Sequence, residues 1–197
     1  ALARASRGSS PEATWPPWPR PPAGSSCWSR TPGAAPCAGN RPNRTARWCA
    51  APTIPVAPGA GTLVGLETAA DRVTYYWADP ATGGVLAHRP GEWVIPLGGG
   101  PVDGRIAALR VALDGYDCTV LAHRTVEGDV MLAACATENE ADGLWWAPTG
   151  ERSAVPPALA RDAYGRVVMA TLGDEGGLRI AVQSGEPGLV MGPSLHV

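Results

Sequence analysis

Three short stretches of the sequence share one pattern: GGVLA at residues 83–87, GDVML at residues 128–132 and GGLRI at residues 176–180. In each, a turn that contains glycine is followed by an apolar run with the length of a β-strand. The starting positions 83, 128 and 176 lie 45 and 48 residues apart. A nearly fixed recurrence of about 20–50 residues is typical of repeat architectures, so each stretch predicts one repeated unit.

Each unit contains four predicted strands joined by turns that are rich in Gly, Asp and Pro. The first strands are predicted at 63–67, 106–111 and 158–161, and the second strands at 72–78, 117–124 and 166–172. The three quoted stretches supply the third strands, and the fourth are predicted at 93–97, 144–147 and 189–191. Four strands in about 40–50 residues predict an all-β fold, a partial β-propeller of four-stranded antiparallel blades. A β-sandwich, which also uses many short strands, is the alternative.

The composition of the chain changes near residue 53. Residues 1–53 contain ten prolines, seven arginines and one acidic residue, Glu12, for a local charge of +6. Residues 54–197 contain nine arginines and 17 acidic residues, for a local charge of −8. We therefore expect an irregular Pro/Arg-rich segment over 1–53 and three blades over 54–197, near residues 55–102, 103–153 and 154–197.

The N-terminal segment has two explanations. It is a Pro-rich arm, extended as polyproline II, or it is out-of-frame translation of a further repeat over residues 6–53. The second explanation comes from back-translating residues 12–31 with GC-rich codons, because a shift of two bases then reads as strand, Gly-Gly turn and strand. Resequencing the gene distinguishes the two.

The overall charge gives no electrostatic reason to expect a nucleic acid or an anionic membrane as partner. The net charge is −2, and 17% of the residues are charged. No run of 18 apolar residues occurs, so no membrane span is expected. The chain begins at Ala1 without a signal-peptide pattern, so we expect either a mature product or a fragment.

Catalytic and metal-binding patterns are missing from the sequence. The chain has no Gly-x-Ser-x-Gly, His-Glu-x-x-His or P-loop motif, so we expect neither an enzyme nor a cofactor. The histidines lack the spacing of metal ligands: His88, His123 and His196. A run of acidic residues at Glu138, Glu140 and Asp142 could bind a cation or serve glycosidase chemistry, but a solvated acidic loop is the expected interpretation.

Two stretches resemble the tachylectin-like and PLL-like lectin propellers. They are PALA at residues 157–160 followed by DAYGRV at 162–167, and WVIPLGG at 93–99. The resemblance covers residues 55–197 and implies a secreted, non-catalytic carbohydrate-binding protein or a targeting module of a larger exported protein. Leu178, Arg179 and Ile180 stand where the family's Leu-Trp-His strand ending would be.

Aromatic residues are the candidate carbohydrate-binding side chains, because Trp and Tyr rings pack against the apolar face of a sugar. Aromatic residues fall at or near equivalent places in the blades, including Tyr116 and Tyr164. The selected candidates are Trp77, Trp145, Trp146, Trp93 and Tyr76. The expected partner is a glycan or glycoprotein. A protein-interaction scaffold and a fragment of a propeller glycosidase are the alternative functions.

The second repeat contains two cysteines on strands that are predicted to form a hairpin. If Arg124 pairs with Asp129 beside the turn, Cys118 lies directly opposite Cys135. Directly opposed residues are close enough for a disulfide after a small adjustment, so we expect a Cys118–Cys135 disulfide if the protein is exported. Two buried free thiols in a reducing compartment are the alternative.

The three predicted blades are fewer than a closed ring requires, since propellers usually have about four to eight blades. An incomplete ring leaves strand edges and blade faces exposed. We therefore expect self-association of the chain.

Overall fold

The computed structural model describes residues 62–69 and 72–197, and the predictions for residues 1–53 lie outside the described residues. The described chain forms strands β1 to β12 and one 3₁₀ segment, Thr137–Asp142. The first sheet comprises β1 (Val64–Ala69), β2 (Arg72–Ala78), β3 (Val85–Arg89) and β4 (Trp93–Gly98). The second comprises β5 (Ala107–Leu113), β6 (Tyr116–Arg124), β7 (Asp129–Ala136) and β8 (Trp145–Arg152). The third comprises β9 (Ala158–Arg161), β10 (Val167–Leu172), β11 (Leu178–Val182) and β12 (Leu195–His196).

Each sheet is a four-stranded antiparallel meander in which neighbouring strands follow the chain order. The first strands of successive sheets lie next to one another, since β5 contacts both β1 and β9. This is the arrangement of blades in a β-propeller, whose innermost strands surround the axis. The prediction of an all-β fold built as a partial β-propeller is confirmed.

One strand of the third sheet differs from the prediction. Residues 189–191 were expected to form its fourth strand, but β12 lies at Leu195–His196. Leu189 is instead buried in the core between the second and third sheets, and Met191 makes only an isolated bridge with Gln183. The apolar residues of this stretch therefore pack between sheets, and the chain pairs with β11 a few residues later.

The second sheet is covered on both faces. Residues 118–123 of β6 are buried without interruption. On one face, Val120 and Ala122 pack in a core with Val167 of the third sheet. On the other face, Leu121 packs in a core with Tyr76 and Val85 of the first sheet. A strand that is buried on both faces carries apolar residues at successive positions, which explains the run Val120-Leu121-Ala122 in β6.

The turn between β5 and β6 shows how local sequence determines this meander. Asp114 and Gly115 both have positive φ angles, of 51° and 82°. Two successive residues with positive φ form a type I′ turn, whose twist matches that of the flanking strands, and Asp-Gly is one of its preferred sequences. The turn pairs Leu113 directly with Tyr116.

The register of β6 and β7 corrects the predicted cysteine pairing. Arg124 lies opposite Val130, so Cys118 lies opposite Ala136 and Thr119 opposite Cys135. A shift of one residue moves a side chain to the other face of the sheet, and the two cysteines are therefore buried on opposite faces.

The cause of this shift is the turn between the strands. Thr125 N donates to Asp129 O at 2.8 Å, which closes the hairpin one residue later than the prediction assumed. Arg124 is engaged elsewhere, because it forms an ion pair with Asp103 and donates from Nε to Ser153 O at 2.6 Å. Both cysteines are free thiols, and the predicted Cys118–Cys135 disulfide is wrong for this structure.

Alkylation distinguishes the free thiols from a disulfide. Burial raises the pKa of both the Cys118 and the Cys135 thiols, so neither should react with iodoacetamide while the protein is folded. Both should be labelled after denaturation without reductant. Trypsin separates them, because cleavage after arginine places Cys118 in residues 111–124 and Cys135 in residues 125–152. Detection of these two peptides as one disulfide-linked species would contradict the structure.

Candidate functional site

The predicted carbohydrate-binding aromatics have very different environments. Tyr76 and Trp77 are fully buried, with no exposed surface, so neither ring is available to a ligand in this structure. Trp93 and Trp146 are half-buried. Trp145 is 67% exposed, and of the five candidates it alone presents most of its ring to solvent.

Trp145 and Trp146 are neighbours in sequence but face opposite sides of the second sheet. Trp146 lies opposite Ala133 and donates from Nε1 to Leu97 O of the first sheet at 2.8 Å. Trp145 lies opposite Ala134, whose face packs towards the third sheet. Because Trp146 is held between the first two sheets, the backbone that carries Trp145 is fixed as well.

Two further exposed aromatics lie in or directly after the turns between the first and second strands of their sheets. Tyr116 follows the Asp114–Gly115 turn and is 57% exposed. Tyr164 lies in the turn between β9 and β10 and is 86% exposed. An aromatic residue at a turn has little neighbouring structure to cover it, which is the sequence signal that points to both residues.

Tyr116, Trp145 and Tyr164 lie at the same end of the sheets, and we call them the aromatic rim. In an antiparallel meander, the turn between strands one and two lies at the same end as the connection between strands three and four. Tyr116 and Trp145 therefore share one end of the second sheet. Gly188, between β11 and β12, donates from its backbone N to Asp114 Oδ2 at 2.6 Å, which joins the corresponding ends of the second and third sheets.

The turn that carries Tyr164 is ordered by its own hydrogen bonds. Asp162 Oδ1 accepts from the backbone N of Tyr164 and of Arg166, both at 2.9 Å. Arg166 donates from Nε to Asp162 Oδ2 at 2.8 Å, and its guanidinium lies 5.4 Å from the centroid of the Tyr164 ring. The turn thus presents an aromatic ring beside charged hydrogen-bonding groups.

The acidic segment between β7 and β8 differs from the predicted solvated loop. Glu138 and Asp142 are exposed, as expected, but Glu140 is completely buried. Its carboxylate accepts four side-chain hydrogen bonds: from Tyr76 Oη at 2.6 Å, Thr119 Oγ1 at 2.5 Å, Thr74 Oγ1 at 3.2 Å and Arg89 Nη2 at 2.7 Å. The interpretation of Glu140 as a solvent-facing residue is wrong, because the first sheet supplies three of its partners and β6 supplies Thr119.

This buried network connects the first two sheets. Tyr76 and Arg89 belong to the first sheet, and Glu140 reaches them from the second. Arg89 also donates to Thr137 O at 3.3 Å, and its guanidinium lies 4.7 Å from the centroid of the Trp93 ring. Burial and the charge of Glu140 raise the pKa of Tyr76, so its hydroxyl remains a donor to the carboxylate. The sequence contains no local signal for this network, because its members are distant in the chain.

Two clefts in the described region are lined mainly by charged residues. One, of about 460 Å³, is next to the innermost strands and is lined by Glu67, Arg110, Val111, Ala112, Asp117 and Arg161. The other, of about 310 Å³, is lined by Gly150, Arg152, Asp174, Glu175 and Arg179. Neither contains an aromatic ring for a sugar to stack on.

No group of three or more His, Cys, Asp or Glu residues in the described part of the chain could hold a metal ion. No helix within residues 62–69 and 72–197 is both long and apolar enough to cross a membrane.

The fold and the rim together define a partial β-propeller with exposed aromatic side chains at one end. No protein-family model matches the chain, and no curated protein matches it. Among solved structures, it is similar to a fucose lectin from Kordia zhangzhouensis in complex with methyl-fucoside. The identity is 10% and the TM-score 0.43, over 65% of this chain and 95% of the lectin chain.

Replacing Glu140 should strongly destabilise the protein. Glu140→Ala leaves Arg89 buried without its main counter-charge, and loss of one partner of a buried ion pair costs about 3–5 kcal/mol in the free energy of unfolding. Glu138→Ala, two residues away and exposed, is the matched control and should change it by no more than about 0.5 kcal/mol. Urea unfolding of both variants measures the difference, and equal stabilities would contradict the proposed importance of the network.

A buried histidine between the first two sheets should make the protein less stable in acid. His123 is fully buried against the ring of Trp146, and burial lowers its pKa, opposed by the hydrogen bond between its Nδ1 and Arg124 O. The unfolded state therefore binds a proton more readily than the folded state, so stability is retained above about pH 6.5 and lost as the pH falls below it.

Thermal unfolding between pH 7.5 and 5 tests this expectation. His123→Gln should show a smaller loss of stability on acidification than the unsubstituted protein. His196→Gln, which removes an exposed histidine, should follow the unsubstituted protein. A His123→Gln variant with undiminished acid sensitivity would exclude His123 as the group responsible.

Proposed function

We propose that this chain is a non-catalytic, lectin-like carbohydrate-binding propeller, acting alone or as the targeting module of a larger exported protein. The observation that carries the proposal is Trp145, which is 67% exposed at the start of β8 in the second sheet. The apolar face of a pyranose ring packs on such an indole. Exposure of an apolar ring to water is unfavourable, so exposed aromatic residues are typical of binding surfaces.

Polar groups suitable for sugar hydroxyls flank this ring in the sequence. Asp142 and Glu138 are exposed acceptors in the 3₁₀ segment that leads into Trp145. Carboxylates accept hydrogen bonds from hydroxyl groups, and a charged partner strengthens such bonds. Stacking on Trp145 together with hydrogen bonds to these carboxylates would orient a sugar at the rim.

The site is preorganised by groups that do not themselves contact solvent. The buried Glu140 anchors the segment before Trp145, and the Trp146 Nε1 bond to Leu97 O anchors the residue after it. A backbone that is already held in place loses little conformational entropy on binding, which increases affinity.

The resemblance to tachylectin-like and PLL-like propellers supports the same class of function, and it is the sole support for an extracellular location. Of the alternative functions, a glycosidase would need a pair of accessible carboxylates. Glu140 is buried among four hydrogen-bond donors and cannot supply one of them, so such a pair in the acidic segment would have to be Glu138 and Asp142, which are exposed. A protein-interaction scaffold would use the same exposed rim, and the experiment below distinguishes it.

A glycan array followed by titration with the sugars that bind tests the proposal. Trp145→Ala should reduce affinity at least about tenfold, the loss expected when one stacking contact of about 1.4 kcal/mol disappears. Val126→Ala is the matched control, because Val126 is an exposed apolar residue in the turn at the opposite end of the same sheet and should leave binding unchanged.

Two results would count against the proposal. If no glycan binds the folded protein, a carbohydrate ligand is excluded and a protein partner for the rim becomes the better interpretation. If glycans bind equally well to the Trp145→Ala and Val126→Ala variants, the binding site lies elsewhere on the chain.

A further inference from the structure

The larger of the two charged clefts, of about 460 Å³, lies beside the first strands of the three sheets. Each of these strands contributes one charged side chain to its lining: Glu67 from β1, Arg110 from β5 and Arg161 from β9. Strand β5 contacts both of the others, so Glu67 and Arg161 lie on its two sides. The volume is within the range of about 300–1,000 Å³ that is usual for small-molecule sites.

Arg110, in the middle of this lining, is already paired within the protein. Its Nε donates to both carboxylate oxygens of Asp117 at 2.8 Å, and its Nη2 donates to the same group. Asp117 belongs to the adjacent strand β6, where it lies opposite Ala112 of β5. The charges of Arg110 and Asp117 therefore compensate each other in the wall of the cleft.

Arg161 and Glu67 have no such partner. Both side chains are exposed, and neither takes part in a hydrogen bond or an ion pair within the part of the chain that the structure describes. The hydrogen bonds to Asp117 raise the pKa of Arg110, and the charge of Glu67 raises it further, so Glu67 is close enough to act on this wall without an ion pair to it. The cleft thus presents one uncompensated cation and one uncompensated anion.

This arrangement of charges discriminates between classes of ligand. A simple anion at Arg161 would also meet the carboxylates of Glu67 and Asp117, and a simple cation at Glu67 would meet two guanidinium groups. Like charges placed close together reject such partners. An apolar ligand would remove charged groups from water without giving them partners, which is costly. A molecule that carries one carboxylate and one ammonium group avoids all three penalties.

We propose that this cleft binds a small zwitterion, an amino-acid-like molecule whose carboxylate pairs with Arg161 and whose ammonium group pairs with Glu67. A planar guanidinium donates two parallel hydrogen bonds to a carboxylate, and an ammonium group donates to a carboxylate such as that of Glu67. The uncharged middle of the ligand lies over β5, where the exposed Ala112 lines the cleft. The site uses no residue of the aromatic rim, so it does not depend on the carbohydrate-binding proposal.

Titration of the isotopically labelled full-length chain, followed by NMR, tests the site. The probes are glycine, γ-aminobutyrate and ε-aminohexanoate, and the controls are the alkanoate and the alkylammonium ion of matching length. At least one zwitterion should bind at least about fivefold more tightly than both of its controls, because it gains a second ion pair at an accessible site. The backbone amide signals of Ala112 and Asp117 should shift, and that of Val126, in the turn between β6 and β7, should not.

Charge-neutralising substitutions assign each end of the ligand. Arg161→Gln should reduce the affinity of the zwitterion to that of the alkylammonium ion, and Glu67→Gln should reduce it to that of the alkanoate. Arg105→Gln is the matched control and should leave binding unchanged, because Arg105 is also an exposed arginine but does not line the cleft. All three residues are exposed, so the variants should unfold at the same temperature as the unsubstituted protein.

Two kinds of result would overturn the proposal. If no zwitterion binds more tightly than its single-charge controls, Glu67 and Arg161 do not act on one ligand, as would be the case if the two side chains pair with each other in solution. If binding is unchanged in both the Arg161→Gln and the Glu67→Gln variants, or if it shifts Val126 and not Ala112 and Asp117, the ligand binds elsewhere on the chain.

Discussion

The buried carboxylate of Glu140 places the strongest single constraint on this structure. A charged group without solvent exposure is tolerated only when it is paired and fully hydrogen-bonded, and here the partners come from two different sheets. The salt bridge to Arg89 and the bond from Tyr76 therefore hold the first two sheets in one relative position. The same carboxylate anchors the 3₁₀ segment, which leads into the start of β8 and Trp145.

The second sheet is the layer against which the other two described sheets pack. Apolar side chains cover both of its faces, so the first and third sheets pack against one central layer. The hydrogen bond from Gly188 N to Asp114 Oδ2 joins the third sheet to the second at the end that carries the rim. The aromatic rim at one end of the sheets is a consequence of this stacking.

Particular elements show which sequence signals were reliable. The glycine turns and apolar runs correctly predicted the third strands, and the Asp114–Gly115 pair is a local signal because its positive φ angles depend on those two residues alone. The prediction failed at residues 189–191, where apolar residues pack between sheets instead of pairing in one. The cysteine pairing failed because the turn pairs Thr125 with Asp129 instead of Arg124 with Asp129. Arg124 forms its ion pair with Asp103, in the connection from the previous sheet.

Most strands, most turn positions and the all-β class were determined by the sequence itself, because alternation and turn propensity act over a few neighbouring residues. Exposure was decided only by the tertiary structure. Tyr76 and Trp145 are both aromatic residues in predicted strands, yet Tyr76 is fully buried and Trp145 is 67% exposed. The difference arises because a neighbouring sheet and the carboxylate of Glu140, 64 residues away from Tyr76, cover the first ring and leave the second open.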